Sequence, residues 1–250
     1  MGYVIAVCGK GGTGKTTTAA LLVRLLKEKT QKSILAVDAD PNSNLAEVLG
    51  LKIEHSIGSI LDGISGDPGA IPAGMPKDRF IEYEIQKAIT EASGFDLLTM
   101  GKPEGPGCYC YVNNCLRNAM AKLIDDYDYI IIDNEAGLEH LSRRTTRSAD
   151  CLLVVSDATY VGLRAARRIS DLVEELKIKT KKKILLINRS TQGVLDEKIK
   201  ETGLDYLGSV PQDDQLAELS LKGSSLFDLK NDAASYLSLS KIGEKIWQGN

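Results

Sequence analysis

Short apolar runs alternate with stretches of helical spacing along this chain. Tyr3–Cys8, Ser33–Asp38, Phe95–Met100, Tyr127–Asp133, Cys151–Ser156 and Lys183–Arg189 read as strands, with a last one opening at Asp205. Most of these runs are apolar at successive positions, as in parallel strands covered on both faces. Between them, Thr16–Lys27, Asp78–Ala92, Leu116–Asp125, Val161–Leu176 and Ala233–Trp247 repeat apolar residues at helical intervals. The pattern predicts an α/β fold: a doubly wound, mostly parallel sheet of about seven strands with helices on both faces, formed as a single domain over residues 1–250. Gly58–Pro76 is rich in Gly and Pro, with only a short turn near Ile60–Ile64, and reads as a surface excursion.

Charge and composition narrow the function classes. The 250 residues are 43% hydrophobic and 26% charged, with a formal net charge of −3. The longest basic run, Lys181–Lys183, reads as a helix–strand connection, so no nucleic-acid footprint is present. No apolar stretch approaches the roughly 18 residues of a membrane span, and the N-terminus enters the first strand directly. A cytoplasmic protein without membrane or nucleic-acid partners is expected. The Ala233–Trp247 stretch has few cations on its polar face, which suits packing on the sheet rather than membrane targeting. Five cysteines, an odd number, favour free thiols or metal over a disulfide framework. Cys8 and Cys151 fall inside apolar strands and read as core.

Chemistry concentrates where strands end. Gly9-x-x-x-x-Gly14-Lys15-Thr16 fits a P-loop between a buried strand and a helix, and so predicts a P-loop NTPase. The backbone of Gly11, Gly12, Thr13, Gly14, Lys15, Thr16 and Thr17 would cradle phosphate oxygens of ATP or ADP at the positive end of the helix dipole. Lys15 would reach the terminal phosphates, and the Thr16 hydroxyl would bind Mg²⁺. Asp38 and Asp40 close the second strand, and Asp133 closes the fourth; carboxylates there face the crevice where ligands bind. Asp133 has the Walker B position for holding Mg²⁺ through water. Asp40 reads either as a cap of a short helix around Leu45–Leu49 or as the group acting on the attacking water. Ala136-Gly137 permits backbone approach to a γ-phosphate. His140 reads as structural or as a helper at a metal, and Arg143 and Arg144 as phosphate or interface contacts or as solvated charges.

The segment Gly101–Cys115 is held out of regular structure by Gly and Pro. Its Cys108-x-Cys110 pair suits one soft metal through thiolates, but two ligands do not complete a site. A two-fold dimer supplies four. Cys115 is either a further ligand or packed at the start of the next helix. Four thiolates serve Zn²⁺ or an iron–sulfur cluster as well as Ni²⁺.

Lys10-Gly11-Gly12-Thr13-Gly14-Lys15-Thr16 resembles the deviant Walker A loop of the MinD/ParA/nitrogenase-reductase group. With Asp38-Ala39-Asp40-Pro41, the run Glu104–Cys110 and the stretch Asp133–Arg144, the whole chain resembles the CooC/AcsF family of nickel-maturation ATPases. That resemblance implies a homodimer in which Lys10 crosses to the partner's nucleotide. It makes Lys10, Lys15 and Asp40 the catalytic residues, with Asp38 nearer the Mg²⁺. Asn188 would read the adenine edge, and the loop with Val210, Pro211 and Asp213 would pack on the purine. Nickel, or zinc on the same thiolates, would sit on Cys108 and Cys110 of both subunits, and the client would be carbon monoxide dehydrogenase/acetyl-CoA synthase. Two other functions share the superclass. A positioning ATPase would act on DNA or membrane, and a reductase would carry a [4Fe–4S] cluster, although its cluster cysteines lie farther apart than Cys108 and Cys110.

Overall fold

A computed structural model describes residues 2–40, 42–66, 71–101, 121–135, 148–191 and 196–247. Among the described residues eight strands form one sheet: β1 (Tyr3–Gly9), β2 (Ile34–Asp38), β3 (Ile89–Ala92), β4 (Phe95–Thr99), β5 (Tyr129–Asp133), β6 (Ser148–Ser156), β7 (Lys179–Ser190) and β8 (Asp205–Pro211). Their order is β3-β4-β2-β5-β1-β6-β7-β8, and every pairing is parallel except that of β3 with β4. The α-helices among the described residues are α1 (Lys15–Lys29), α2 (Asn44–Leu49), α3 (Ile57–Gly66), α4 (Lys77–Lys87), α5 (Tyr160–Glu175), α6 (Asp196–Lys200), α7 (Asp214–Lys222), α8 (Ala234–Ile242) and α9 (Glu244–Trp247).

Strand periodicity sorts the core into two layers. Val4, Ala6 and Cys8 of β1 face one apolar cluster, shared with Ile81 of α4 and Leu163, Ala166 and Ile169 of α5. Tyr3, Ile5 and Val7 face the other, shared with Leu22, Leu25 and Leu26 of α1. Successive strand side chains point to opposite faces, so a strand covered on both sides must be apolar throughout. Cys8 and Cys151 are free and buried, one in each layer, as their apolar settings predict. Arg24 of α1 is also buried. Its guanidinium donates to Leu226 O at 3.3 Å, Leu229 O at 2.7 Å and Asn231 Oδ1 at 2.5 Å, tying the C-terminal quarter onto α1.

Three segments differ from the pattern-based expectation. The sheet has eight strands rather than about seven, because the helix expected over 78–92 stops at Lys87 and its last residues become β3. Ile89 and Thr90 are β-branched, and Ser93-Gly94 closes a two-residue hairpin with Gly94 at φ 82°. The supposed surface excursion contains α3, whose Ile57, Ile60 and Ile64 are buried at helical spacing. The C-terminal stretch is two helices meeting at Gly243, and it does pack on the sheet: Leu239, Ile246 and Trp247 are buried, and the Tyr3 hydroxyl donates to Ile246 O at 2.7 Å. Among the described residues, no helix is long and apolar enough to cross a membrane.

Candidate nucleotide site at the strand ends

The chain turns outward in both directions from β1, which lies between β5 and β6. Such a switch point opens a crevice at the carboxyl ends of the strands, and residues Gly9 to Lys15 fill it as the loop from β1 to α1. Glycine is required at two places. A Cβ on Gly9 would lie 2.2 Å from Val155 O, and one on Gly14, at φ 90°, would lie 2.3 Å from Asn188 Nδ2. At Gly11 and Gly12 the space a side chain would enter is open for at least 4 Å. The loop is cross-braced: the Thr13 hydroxyl donates to Lys10 O at 2.9 Å, and the Thr18 hydroxyl to Gly14 O at 2.8 Å. Lys15 is buried and folds back, its ammonium 3.3 Å from Lys10 O. Helix α1 starts with no side-chain cap and no acidic residue in its first turn. Its leading N–H groups and dipole are therefore offered to an anion.

Sheet register gathers the acids on the other side of the crevice. Asp38 of β2 pairs with Asp133 of β5 and with Thr99 of β4, and Asp133 pairs with Val7 of β1. Asp38 is fully buried; its Oδ1 accepts from Asp40 N at 3.1 Å and its Oδ2 from Leu45 N at 2.8 Å. Burial raises its pKa to about 6 against the pull of those two N–H groups, with the Asp40 charge adding to the rise. Asp133 is buried with no hydrogen-bond partner of normal geometry for either carboxylate oxygen. Burial lifts its pKa to about 7, and the neighbouring charges of Asp38 and Asp40 push the same way. The nearby Thr16 hydroxyl and Lys15 ammonium oppose the rise without cancelling it. The Asn134 amide nitrogen donates to Val7 O at 3.0 Å and Ile132 O at 3.3 Å, while its Oδ1, like the Thr99 hydroxyl, is buried without a partner.

Stranded oxygens buried at the carboxyl ends of central strands are costly. Their donor set, carboxylate and hydroxyl oxygen beside a phosphate cradle, suits Mg²⁺, which takes one or two protein oxygens and completes its shell with phosphate and water. Among the described residues no three His, Cys, Asp or Glu side chains cluster closely enough to hold a metal by themselves. Asp40 stands at the mouth of the crevice. Its Oδ1 accepts from the backbone and side-chain nitrogens of Asn42, both at 2.9 Å, in a turn that forms the entry to α2.

The other expected site residues are placed as follows. Lys10 projects, exposed, from the loop, and Thr16 and Thr17 are half-buried in the first turn of α1. Asn188 touches the loop, its Nδ2 donating to Thr13 O at 2.9 Å. Val210 is buried and Pro211 half-buried at the end of β8. Asp213 has a structural duty: its Oδ1 caps α7 through Gln215 N at 3.0 Å, and its Oδ2 accepts from Ser235 N at 2.8 Å and Ser235 Oγ at 2.6 Å. Burial works against this carboxylate, but those bonds outweigh it and hold its pKa below the usual value. Cys108, Cys110, Cys115, His140, Arg143 and Arg144, and the Ala136-Gly137 pair, lie outside the described residues. Pattern reading passed over Thr18, Thr99, Asn134 and Arg189, which all bear on the site. Only adjacency signalled them, since Asn134 follows Asp133 and Arg189 follows Asn188.

Comparison with known proteins agrees with this geometry. The sequence profile of the CobQ/CobB/MinD/ParA nucleotide binding domain matches residues 4–226. An uncharacterized ATP-binding protein of Methanocaldococcus jannaschii is 44% identical over 248 residues, covering 97% of this chain and 98% of its own. The carbon monoxide dehydrogenase accessory protein CooC of Rhodospirillum rubrum is 29% identical over 245 residues, covering 90% of this chain and 89% of its own. The septum site-determining protein MinD of Pyrococcus horikoshii, solved in complex with Mg-ADP, superposes with a TM-score of 0.73 at 23% identity, over 99% of this chain and 97% of that one. At that identity the likeness speaks for the fold.

Proposed function

Since the chain belongs to the CobQ/CobB/MinD/ParA nucleotide-binding family of P-loop ATPases, we propose that it is a metal-delivery switch run by ATP. In this reading a homodimer carries Ni²⁺, or Zn²⁺ at the same place, on Cys108 and Cys110 of both subunits. It supplies nickel to carbon monoxide dehydrogenase/acetyl-CoA synthase. One observation carries the nucleotide half: an uncapped helix start with a braced glycine loop faces two buried carboxylates, one of them stranded. The cargo half is supported by the Cys-x-Cys pair and by the similarity to CooC over most of both chains.

The residues divide the work of hydrolysis. N–H groups from Gly11 to Thr17 hold the phosphates of ATP, and Lys15 leaves Lys10 O for the β- and γ-oxygens. Lys10, exposed on the loop, reaches the nucleotide of the partner subunit, so that two positive charges meet the charge developing in the transition state. Thr16 would hold Mg²⁺ by its hydroxyl, Asp133 would hold it through water and Asp38 would stand near it; the ion would neutralise phosphate charge. Asp40 keeps Oδ2 to orient the attacking water while Asn42 occupies Oδ1. Asn188 and the strand end at Val210, Pro211 and Asp213 border the purine. ATP draws the two subunits together around the thiolates, and hydrolysis lets them part.

Equilibrium binding of Ni²⁺ by the purified dimer tests the cargo. One ion per dimer is expected for the wild type, and its loss when Cys108 and Cys110 are both replaced by serine. Unchanged stoichiometry and affinity in that variant would end the metal assignment. A visible absorption band of a cluster in anaerobically purified protein would favour a reductase instead.

A further inference from the structure

We propose that Asn188 and Arg189, at the end of β7, clamp the phosphate loop and set which way its peptide groups face; this deepens the nucleotide reading above and rests on it. Two consecutive side chains grip two consecutive loop carbonyls. Asn188 Nδ2 donates to Thr13 O at 2.9 Å, and Arg189 Nη1 donates to Gly12 O at 3.3 Å. Neighbouring residues of a regular strand point to opposite faces, so both would not reach the same loop. Here the strand breaks its rule. Arg189 takes φ 53°, the left-handed region that a residue with a Cβ seldom occupies. The ladder with β8 slips at the same place, between Ile187 and Ser190. Irregularities of this kind beside a site re-aim a side chain.

The consequence lies in the loop. A trans peptide points its carbonyl and its N–H in opposite directions. Holding Gly12 O and Thr13 O against β7 therefore turns the N–H groups of Thr13 and Gly14 away from β7. The Thr13 N–H closes a long 3.4 Å turn onto Lys10 O, and the Gly14 N–H, opposite the Thr13 carbonyl that Asn188 holds, is turned from β7. Without the clamp, either peptide unit is free to flip a carbonyl toward the phosphate and repel it. Gly14 also has no room for a Cβ against Asn188. Asn188 and Arg189 are thus positioning residues for phosphate, and Asn188 acts on the triphosphate besides any contact its Oδ1 makes with the base.

A ligand without a base separates the two roles. Binding of tripolyphosphate and of ATP, both with Mg²⁺, is measured by calorimetry on the full chain for the wild type, Arg189→Gly and Asn188→Ala. Arg189→Gly removes the guanidinium, while glycine accepts the left-handed backbone freely, so its thermal midpoint should not fall. Both ligands are expected to weaken about tenfold, by the same factor, in Arg189→Gly. Asn188→Ala is expected to weaken tripolyphosphate as well as ATP. Wild-type affinity for tripolyphosphate in both variants overturns the clamp and leaves Asn188 a base reader only. If Asn188→Ala does not fold, Arg189→Gly decides alone. A wild type that binds neither ligand overturns the nucleotide reading, and the clamp with it.

Discussion

Along the wall of the crevice made by β1, α1 and β7, the loop carbonyls are tied away. Lys10 O takes the Thr13 hydroxyl and the Lys15 ammonium, Gly12 O takes Arg189, Thr13 O takes Asn188, and Gly14 O takes Thr18. Across from it, along β2, β5 and β4, both oxygens of Asp133, the Asn134 amide oxygen and the Thr99 hydroxyl are buried without partners. Both walls are polar, yet one is satisfied and the other is not. Carbonyl oxygens repel phosphate, so a wall built for phosphate must turn them aside and leave N–H groups and lysine ammonium forward. Carboxylates attract a cation, so a wall built for one gains by keeping them stranded until it arrives. The unsatisfied wall is the more functional of the two, at a cost in stability that the apolar layers on each face of the sheet offset.

The contrast can be broken at either wall. Lys15→Ala removes the mobile cation of the satisfied wall, and ATP turnover should fall about 10²–10³-fold. The ligand-free melting temperature should barely move, since that ammonium's bond to Lys10 O is a long one. A turnover within tenfold of wild type would remove Lys15 from the chemistry. The acid wall makes stability depend on pH. Burial raises Asp133 to about 7 and Asp38 to about 6, above the roughly 3.9 of an unfolded aspartate. The folded chain therefore holds these protons more tightly, and their contribution is complete below about pH 4 and lost as pH climbs through 6 and 7. The loss should be on the order of 7 kcal/mol over the whole range, about 4 kcal/mol of it between pH 5 and pH 8. Urea denaturation of the ligand-free protein at pH 5 and pH 8 checks the sign, and greater stability at pH 8 contradicts it.

Much of this arrangement was legible in the residues, for reasons that differ by region. β1, β2 and β5 are buried on both faces, so their apolar runs could be nothing else, and their final aspartates had to emerge at the crevice. The P-loop was legible because its glycines, lysine and threonine recur at fixed spacing between a buried strand and a helix. The hairpin of β3 was not, because Ile89 and Ala92 keep a helical interval from Ile85 and Ala88, and only the antiparallel partner β4 decides the matter. Helix α3 hid among glycines and prolines whose turn signals outweighed three isoleucines. At the site, Asn188 could be found as a strand-end amide. Its bond to Thr13 O and the partnership of Arg189 with Gly12 O join residues 175 and 177 apart in sequence, brought together only when the end of β7 folds beside the loop. Asp213 shows the converse: a loop position chosen for the purine has its carboxylate engaged in capping α7 and holding Ser235.

Replacing Asp133 by asparagine at pH 8 tests most directly whether the stranded wall awaits a cation, with chemical denaturation measured in the absence and presence of MgATP. Removing the buried charge should make the ligand-free variant more stable than wild type by about 1–2 kcal/mol. MgATP at a hundred times its dissociation constant should then stabilise the wild type by about 2.7 kcal/mol and leave the variant near its ligand-free value. A variant that is less stable than wild type without ligand, and still gains as much from MgATP, would contradict the account.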